Sequence, residues 1–333
     1  MNLDAAMRLA AEQANRVKGS TYPNPPVGAV ILDSDGEIAG VGATDPPGGP
    51  HAEVVALRRA GERAAGGTAV VTLEPCNHYG RTPPCVDALV ASGVSRVAYA
   101  VADPNPQAAG GASRLAESGV KVEAGVSANF VAGGPLREWL HKQRTGLPHV
   151  TWKFATSVDG RSAAADGSSQ WITSEAARAD VHRRRAAADA IVIGTGTVFF
   201  DDPVLTARLP DGTLAERQPL RVVVGEREIS SEARVLNDES RTMVIRTRDP
   251  QEVLKALSDR TDVLLEGGPT LAGVFLRAGA IDRILAYVAP ILLGGPISAV
   301  DDVGVLSIAH AQRWRFDGIE PIGPDLLLSL VLA

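Results

Sequence analysis

The chain has two cysteines, Cys76 and Cys85, separated by the eight residues Asn77 to Pro84, with His51-Ala52-Glu53 upstream. One imidazole and two thiolates are three of the four ligands that close a tetrahedral zinc site, so the fourth position stays open for water. Zinc in an open site lowers the pKa of bound water from about 15.7 towards ~7. The pattern constrains the fold strongly, because two distant segments must meet at one ion. His51 and Cys85 both follow Pro-containing loops and open predicted helices, whose positive ends favour thiolate. Glu53, two residues past the histidine, is placed to carry protons without ligating the metal. Two plainer readings stay open: a Cys76–Cys85 disulfide, and a closed structural zinc with His78 as fourth ligand.

At ~150 residues per domain, 333 residues suit two domains. Helical periodicity runs over 3–17, with Leu3, Ala6, Met7 and Ala10 on one face. Val27 to Leu32 reads as a strand and Gly40 to Pro50 as a Gly/Pro-rich loop. His51 to Ala65 reads as a helix, Ala69 to Leu73 as a strand and Val86 to Ser92 as a helix. Val94 to Val101 and Gly119 to Ala124 read as strands. A helix from Pro135 to Arg144 stops at Thr145-Gly146, with Pro148 beyond, which sets a domain boundary there.

The second half opens with the strand His149 to Ala155, whose alternation puts Thr151, Lys153 and Ala155 on one face. Strands at 190–193, 220–224, 242–246, 263–266 and 283–288 alternate with helices at 174–188, 251–257 and 270–278. The expected fold is therefore α/β, with domains 1–146 and 147–333.

The formal charge is −6 and no extended basic run occurs, which argues against nucleic acid as the main partner. The N-terminus lacks a signal-type apolar core, and the longest apolar run, Ile284 to Val300, is broken by Pro290, Gly294, Gly295 and Pro296. No membrane partner and a cytoplasmic location are the expectation.

H-x-E with P-C…C is the signature of zinc nucleobase deaminases, in which water attacks a ring carbon and ammonia leaves. The stretch TLEPCNHYGRTPPC, with Ser20-Thr21-Tyr22-Pro23-Asn24-Pro25-Pro26-Val27-Gly28-Ala29 and Asp103-Pro104-Asn105-Pro106, resembles the deaminase half of the bifunctional riboflavin-biosynthesis family. Residues 150–210 resemble that family's reductase half, which is similar in fold to dihydrofolate reductase and uses NADPH. The resemblance implies two three-layer α/β domains, a cytidine-deaminase-like zinc domain and a dihydrofolate-reductase-like domain, with one Zn²⁺ per chain.

By the resemblance, His51, Cys76 and Cys85 hold zinc, Glu53 is the proton carrier and Asn24 meets the pyrimidine edge; a plain turn residue is the alternative for Asn24. Ala155, Trp171, Thr197, Asp201 and the run Gly268, Pro269, Thr270, Leu271, Ala272, Gly273, Val274 would hold NADPH. Ser169, Arg185, Leu205, Arg208 and Glu266 would hold the ribosyl-phosphate substrate. Lys153, Asp201 and Glu266 would form the polar cluster at the reacting carbon. Strand, glycine turn and helix over 263–270 suit a phosphate, as does Gly194-Thr195-Gly196-Thr197, although neither is a specific fingerprint. The alternatives are an edge-strand gatekeeper for Lys153, plain core for Trp171 and a turn residue for Asp201.

Family members commonly carry histidine and lysine where this chain has Thr44 and Arg81, and a hydroxyl near Glu226. The implied reactions are hydrolytic deamination of 2,5-diamino-6-ribosylamino-4(3H)-pyrimidinone 5′-phosphate, then NADPH reduction of the ribosyl group to ribityl. Partners would be small pyrimidine ribosyl phosphates and further copies of the chain, as a dimer or larger. A nucleic-acid-editing deaminase, a single-activity reductase with a degenerate zinc module and a non-catalytic zinc-stabilised interaction module are the rival readings.

Overall fold

The computed structural model describes residues 1–80 and 82–333, so Arg81 lies outside the described residues. The chain divides into two compact units, Met1–Gly146 and Leu147–Ala333. Gly146 ends a helix in the left-handed conformation, φ 72°, which glycine adopts without a Cβ clash.

In the first unit the elements are α1 (Leu3–Arg16), β1 (Gly28–Leu32), β2 (Ile38–Ala43), α2 (Ala52–Ala60), β3 (Thr68–Leu73) and α3 (Cys85–Ala91). There follow β4 (Arg96–Val101), α4 (Gly111–Glu117), β5 (Lys121–Ala124), α5 (Ala128–Ala132) and α6 (Arg137–Thr145). Among the described residues the sheet order is β2-β1-β3-β4-β5; β1 is antiparallel to β2 and β3, and β3, β4 and β5 run parallel.

Two glycine positions explain how helices reach both faces. A Cβ on Gly28 would stand 1.9 Å from the Ala10 carbonyl oxygen of α1, and one on Gly42 would stand 2.4 Å from that of Ala52 in α2. Gly28 pairs with Ala43, the neighbour of Gly42, so Gly28 and Gly42 point to opposite sides. Hence α1 and α2 cover opposite faces, giving three layers.

The expected loop from Gly40 to Pro50 is corrected here, because its first residues belong to β2. Gly40 and Gly42 serve close helix–sheet packing, not turning. The helix expected to run to Ala65 stops at Ala60, and Gly61–Ala64 forms a 3₁₀ turn.

The second unit contains β6 (His149–Ser157), α7 (Glu175–Ala187), β7 (Ala190–Gly194), α8 (Thr195–Asp201), β8 (Leu220–Val224) and β9 (Thr242–Ile245). It continues with α9 (Pro250–Ala256), β10 (Asp262–Leu265), α10 (Pro269–Arg277), β11 (Arg283–Ala289), β12 (Trp314–Ile322) and β13 (Asp325–Leu332). The strand order among the described residues is β12-β13-β11-β6-β10-β7-β8-β9. From β11 to β9 the strands are parallel, and β13 is antiparallel to both its neighbours.

Leu285 and Tyr287 of β11 pack with Ala177 and Val181 of α7. Ile284 and Ala286, on the other face, pack with residues of α9 and α10, so this unit is three-layered too. Lys153 lies on β6, between β11 and β10, which removes the edge-strand reading. The terminal hairpin β12–β13 has no counterpart in the sequence reading, because a register shift between Phe316 and Gly318 interrupts its alternation. No helix among the described residues is long and apolar enough to cross a membrane.

Candidate functional site

His51 caps the N-terminus of α2 in extended conformation, and Cys85 is the first residue of α3. Their side chains converge with Cys76: His51 Nδ1 stands 3.2 Å from Cys85 Sγ and 3.6 Å from Cys76 Sγ. All three ligand atoms lie within 4.8 Å of one another. Among the described residues no fourth His, Cys, Asp or Glu joins the group, so the closed site completed by His78 does not form. Both cysteines are free thiols, which removes the disulfide reading.

The imidazole's other nitrogen, Nε2, stands 3.4 Å from Thr82 Oγ1, the second partner that fixes a ligating ring. The first backbone N–H of α3, that of Cys85, donates to Cys76 Sγ at 3.3 Å. Hydrogen bonding from Cys85, then from His51, holds the Cys76 thiol well below its ordinary value, whereas that same contact and burial push Cys85 up. A divalent cation bound between them would take the place of the thiol protons. A converging, buried N/S/S donor set with one open side fits zinc.

Glu53 is buried beside these ligands. Burial, then the charge of Cys76, pushes its carboxyl up to about 7, the range in which a carboxyl both takes and returns protons near neutrality.

A cavity of about 370 Å³ opens over the metal ligands and Glu53, and Asn24, Thr44, His78 and Asp103 contribute to its wall. Thr44 is buried, and its hydroxyl oxygen accepts from Val27 N at 3.2 Å. Among the described residues His78 Nδ1 is buried without a hydrogen-bond partner.

Sequence reasoning missed Glu74. Its carboxylate accepts from the backbone N–H groups of Asp103, Gly110 and Ala112 at 3.1–3.2 Å, pinning the far wall. Arg114 likewise holds the loop between the cysteines, donating to Asn77 at 2.9 Å and to Asp87 at 2.5 Å. Neither role has a local signal, since each partner lies at least 25 residues away in sequence.

The second unit holds a cavity of about 760 Å³. At its centre Arg185 donates to both oxygens of Glu266, Nε to Oε1 at 2.7 Å and Nη2 to Oε2 at 2.9 Å. Lys153 Nζ stands 3.9 Å from the same Oε2. Burial alone would raise Glu266, but Arg185 and then Lys153 outweigh it and hold the carboxyl down at about 2. Burial, with the Arg185 charge, lowers Lys153 against the pull of Glu266.

Ala155, Ser169, Trp171, Thr197, Asp201, Leu205, Arg208, Gly268 and Pro269 line the same cavity. Asp201 lines the same cavity, with no hydrogen bond or ion pair to Lys153 or Glu266 among the described residues, and it ends α8 rather than sitting in the turn. Trp171 is 68% exposed at the cavity, with the Arg178 guanidinium 4.6 Å above its ring, so it is not core. Leu205 is buried with φ 58°, a left-handed conformation that is strained for leucine. Arg208 N donates to His182 Nδ1 at 3.2 Å.

Gly268 caps α10, and of the described atoms outside its chain neighbours only Thr197 Oγ1, at 3.9 Å, comes within 4 Å of a Cβ placed there. That open approach beside a helix start fits the phosphates of a dinucleotide. Thr270, Leu271, Ala272, Gly273 and Val274 continue α10 and do not line the cavity; Ala272 belongs to the core. Thr270 Oγ1 instead donates to Asp301 at 3.3 Å.

Comparison with known proteins gives a consistent picture. Residues 1–101 match the cytidine and deoxycytidylate deaminase zinc-binding region, and residues 148–328 match the RibD C-terminal domain. The riboflavin biosynthesis protein RibD of Mycobacterium tuberculosis is 73% identical over 330 residues, covering 99% of this chain and 97% of that protein. RibD of Escherichia coli is 41% identical, covering 98% of each. Among solved structures, Acinetobacter baumannii RibD aligns with TM-score 0.86 at 39% identity over 99% of both chains. A diaminohydroxyphosphoribosylaminopyrimidine deaminase/5-amino-6-(5-phosphoribosylamino)uracil reductase from Thermotoga maritima aligns with TM-score 0.89 at 31% identity, again over 99% of both.

Proposed function

The chain belongs to the RibD family, the bifunctional deaminase–reductases of riboflavin biosynthesis, and from that premise we propose a division of labour among its residues. Residues 1–146 would deaminate the diamino-pyrimidinone ribosyl phosphate, and residues 147–333 would reduce the product's ribosyl group. The observation that carries the first assignment is the open His51–Cys76–Cys85 group beside buried Glu53.

His51, Cys76 and Cys85 would hold a zinc ion, which would supply the Lewis acidity that makes water nucleophilic at neutral pH. Glu53, buried beside these residues, would take a proton from the attacking water and return it to the departing amino group, so that ammonia would leave neutral. Asn24, which lines the cavity together with His78, would meet the substrate's pyrimidine edge.

In the second unit NADPH supplies the hydride. Thr197 and the Gly268 turn would hold its phosphates, and Ala155, Trp171 and Asp201, which line the same cavity, would complete its site. Lys153 donates a proton, or stabilises charge, where the sugar ring opens. Glu266 keeps Lys153 charged and in place. Arg185, Ser169, Leu205 and Arg208 flank the ribosyl phosphate.

A cytoplasmic location and self-association into a dimer or larger belong to the same reading. Phe316, Ile319, Leu326 and Leu332 of the terminal hairpin are 44–59% exposed, an apolar stripe suited to a second copy. Light scattering tests the association.

Incubating the purified protein with the diamino-pyrimidinone phosphate, with and without NADPH, tests the assignment of function. Ammonia should appear in both samples, and nicotinamide absorbance should fall only when NADPH is present. Absence of ammonia defeats the deaminase assignment, and constant absorbance defeats the reductase assignment.

A further inference from the structure

Lys153 and Tyr287 stand on adjacent parallel strands, with Lys153 opposite Leu285 and Ala155 opposite Tyr287. Residues two apart on a strand point to the same face, so Lys153 and Tyr287 are diagonal neighbours on the face that α7 covers. Lys153 Nζ lies 5.7 Å from the centroid of the Tyr287 ring, within range of a cation–π contact.

The ring is fully buried and anchored at its far end. Its hydroxyl donates to Asp180 Oδ2 at 2.5 Å, and Arg184 Nε donates to the phenol oxygen at 2.8 Å and to Asp180 Oδ2 at 2.7 Å. This group takes no part in the chemistry assigned above, yet it forms the floor beneath the lysine.

We propose that Tyr287 is a positioning residue of the reductase: its ring face holds the Lys153 ammonium charged and aimed into the cavity, and Asp180 with Arg184 locks the ring in that pose. The proposal rests on the reading of Lys153 as the reductase's proton-handling group. Three elements present groups to that ammonium: β11 gives the Tyr287 ring, the residue after β10 gives Glu266, and α7 gives Arg185. His182 on α7 interacts with Arg185 and Glu266, while Asp180 and Arg184 lie behind the ring at its hydroxyl edge. Glu266 already receives two hydrogen bonds from Arg185 and stands 3.9 Å from the lysine, so its single negative charge is shared between two cations. The negative face of an aromatic ring supplies the remaining favourable field, which an aliphatic side chain of similar size does not.

The two halves of the tyrosine make separable contributions. Tyr287→Phe keeps the ring face and loses the anchor; Tyr287→Leu loses both. Only five lysines occur in the chain, so ¹³Cε-lysine NMR of the full-length protein resolves Lys153, assigned by the signal missing from Lys153→Met.

In Tyr287→Leu the Lys153 titration should move down by roughly half a pH unit or more, and the basic limb of NADPH oxidation should move with it. kcat should fall more than KM changes. Tyr287→Phe, which keeps the ring face and loses only its lock, should shift the titration and limb by clearly less than Tyr287→Leu, at a lower melting temperature. An unmoved Lys153 titration in Tyr287→Leu, or equal shifts in the Phe and Leu variants, overturns the proposal.

Should Tyr287→Leu fail to fold, pentafluorophenylalanine at position 287 preserves the shape and inverts the ring's field. It must then lower the Lys153 titration, and an unchanged one is equally fatal. Normal turnover in Lys153→Met would defeat the reading of Lys153 itself, and the NMR titration would still decide the contact with Tyr287.

Discussion

Arg185 grips Glu266 with two parallel hydrogen bonds of 2.7 and 2.9 Å, and the same carboxylate stands 3.9 Å from Lys153. One buried anion is thus shared between two cations, and its carboxyl is held down at about 2 against a reference of 4.5. A depressed carboxyl contributes stability that is present above its unfolded pKa and lost as pH falls through the folded one. The window here runs from about pH 4.5 down to about 2, and the contribution is on the order of 3 kcal/mol. Thermal melts of the wild type and Glu266→Gln across this window check it. The variant is expected to be the less stable at pH 7, because Arg185 and Lys153 lose their partner, and the difference should shrink as acid protonates Glu266 in the wild type. Parallel stability curves would remove Glu266 from the acid response.

Lys153→Met is expected to slow NADPH oxidation by roughly a hundredfold or more, about 3 kcal/mol in the barrier, while ammonia release stays near normal. Methionine keeps most of the side chain's bulk and removes the charge. Cofactor binding must be measured alongside: retained binding with lost turnover marks a chemical role, whereas lost binding with a lowered melting temperature marks packing. Normal turnover would leave Asp201 and Glu266 as the remaining candidates.

The clustering of His51, Cys76 and Cys85 was legible in sequence because scarcity made it so: two cysteines, a histidine and a glutamate in fixed spacing had few alternative partners. The fold class was legible for a different reason, since strand and helix periods alternate along both halves. What stayed hidden depends on long-range packing. Gly40 and Gly42 read as loop because glycine signals turning, whereas the clash that requires them involves backbone atoms of α2. Arg183 and Arg185 read alike on one helix, yet Arg183 is mostly exposed while Arg185 turns inward to Glu266. Only resemblance separated them. Glu74 and Tyr287 left no trace in the sequence, because their partners are brought near by the fold alone.

Glu53→Gln is expected to keep its zinc and lose deamination by ~10²–10⁴-fold, the usual contribution of a positioned proton carrier. The amide preserves the shape and cannot exchange the proton. Cys85→Ser gives the contrasting outcome, with metal and ammonia release falling together, since one soft ligand of three is gone. Metal analysis beside an ammonia assay separates the two. A zinc-loaded Glu53→Gln protein at full rate would end the proton-carrier role, and full zinc occupancy with full deamination in Cys85→Ser would end the ligand assignment.

Gly42→Ala tests whether helix–sheet contact sets the metal site. A Cβ there would lie 2.4 Å from the Ala52 carbonyl oxygen and 2.5 Å from Ala56 N, both backbone atoms with no rotamer to yield. Helix α2 must then lift from β2, and overpacking of this kind typically costs ~1–3 kcal/mol. Because His51 caps that helix and Glu53 lies in its first turn, the displacement falls on the proposed metal ligand and the proposed proton carrier together. The expected result is a lower melting temperature for the first unit, weaker zinc retention against a chelator and slower ammonia release. NADPH oxidation, supplied with the deaminated substrate, should be spared. A variant with wild-type zinc retention and ammonia release would show that α2 can shift without disturbing the site, and the glycine would then serve stability alone.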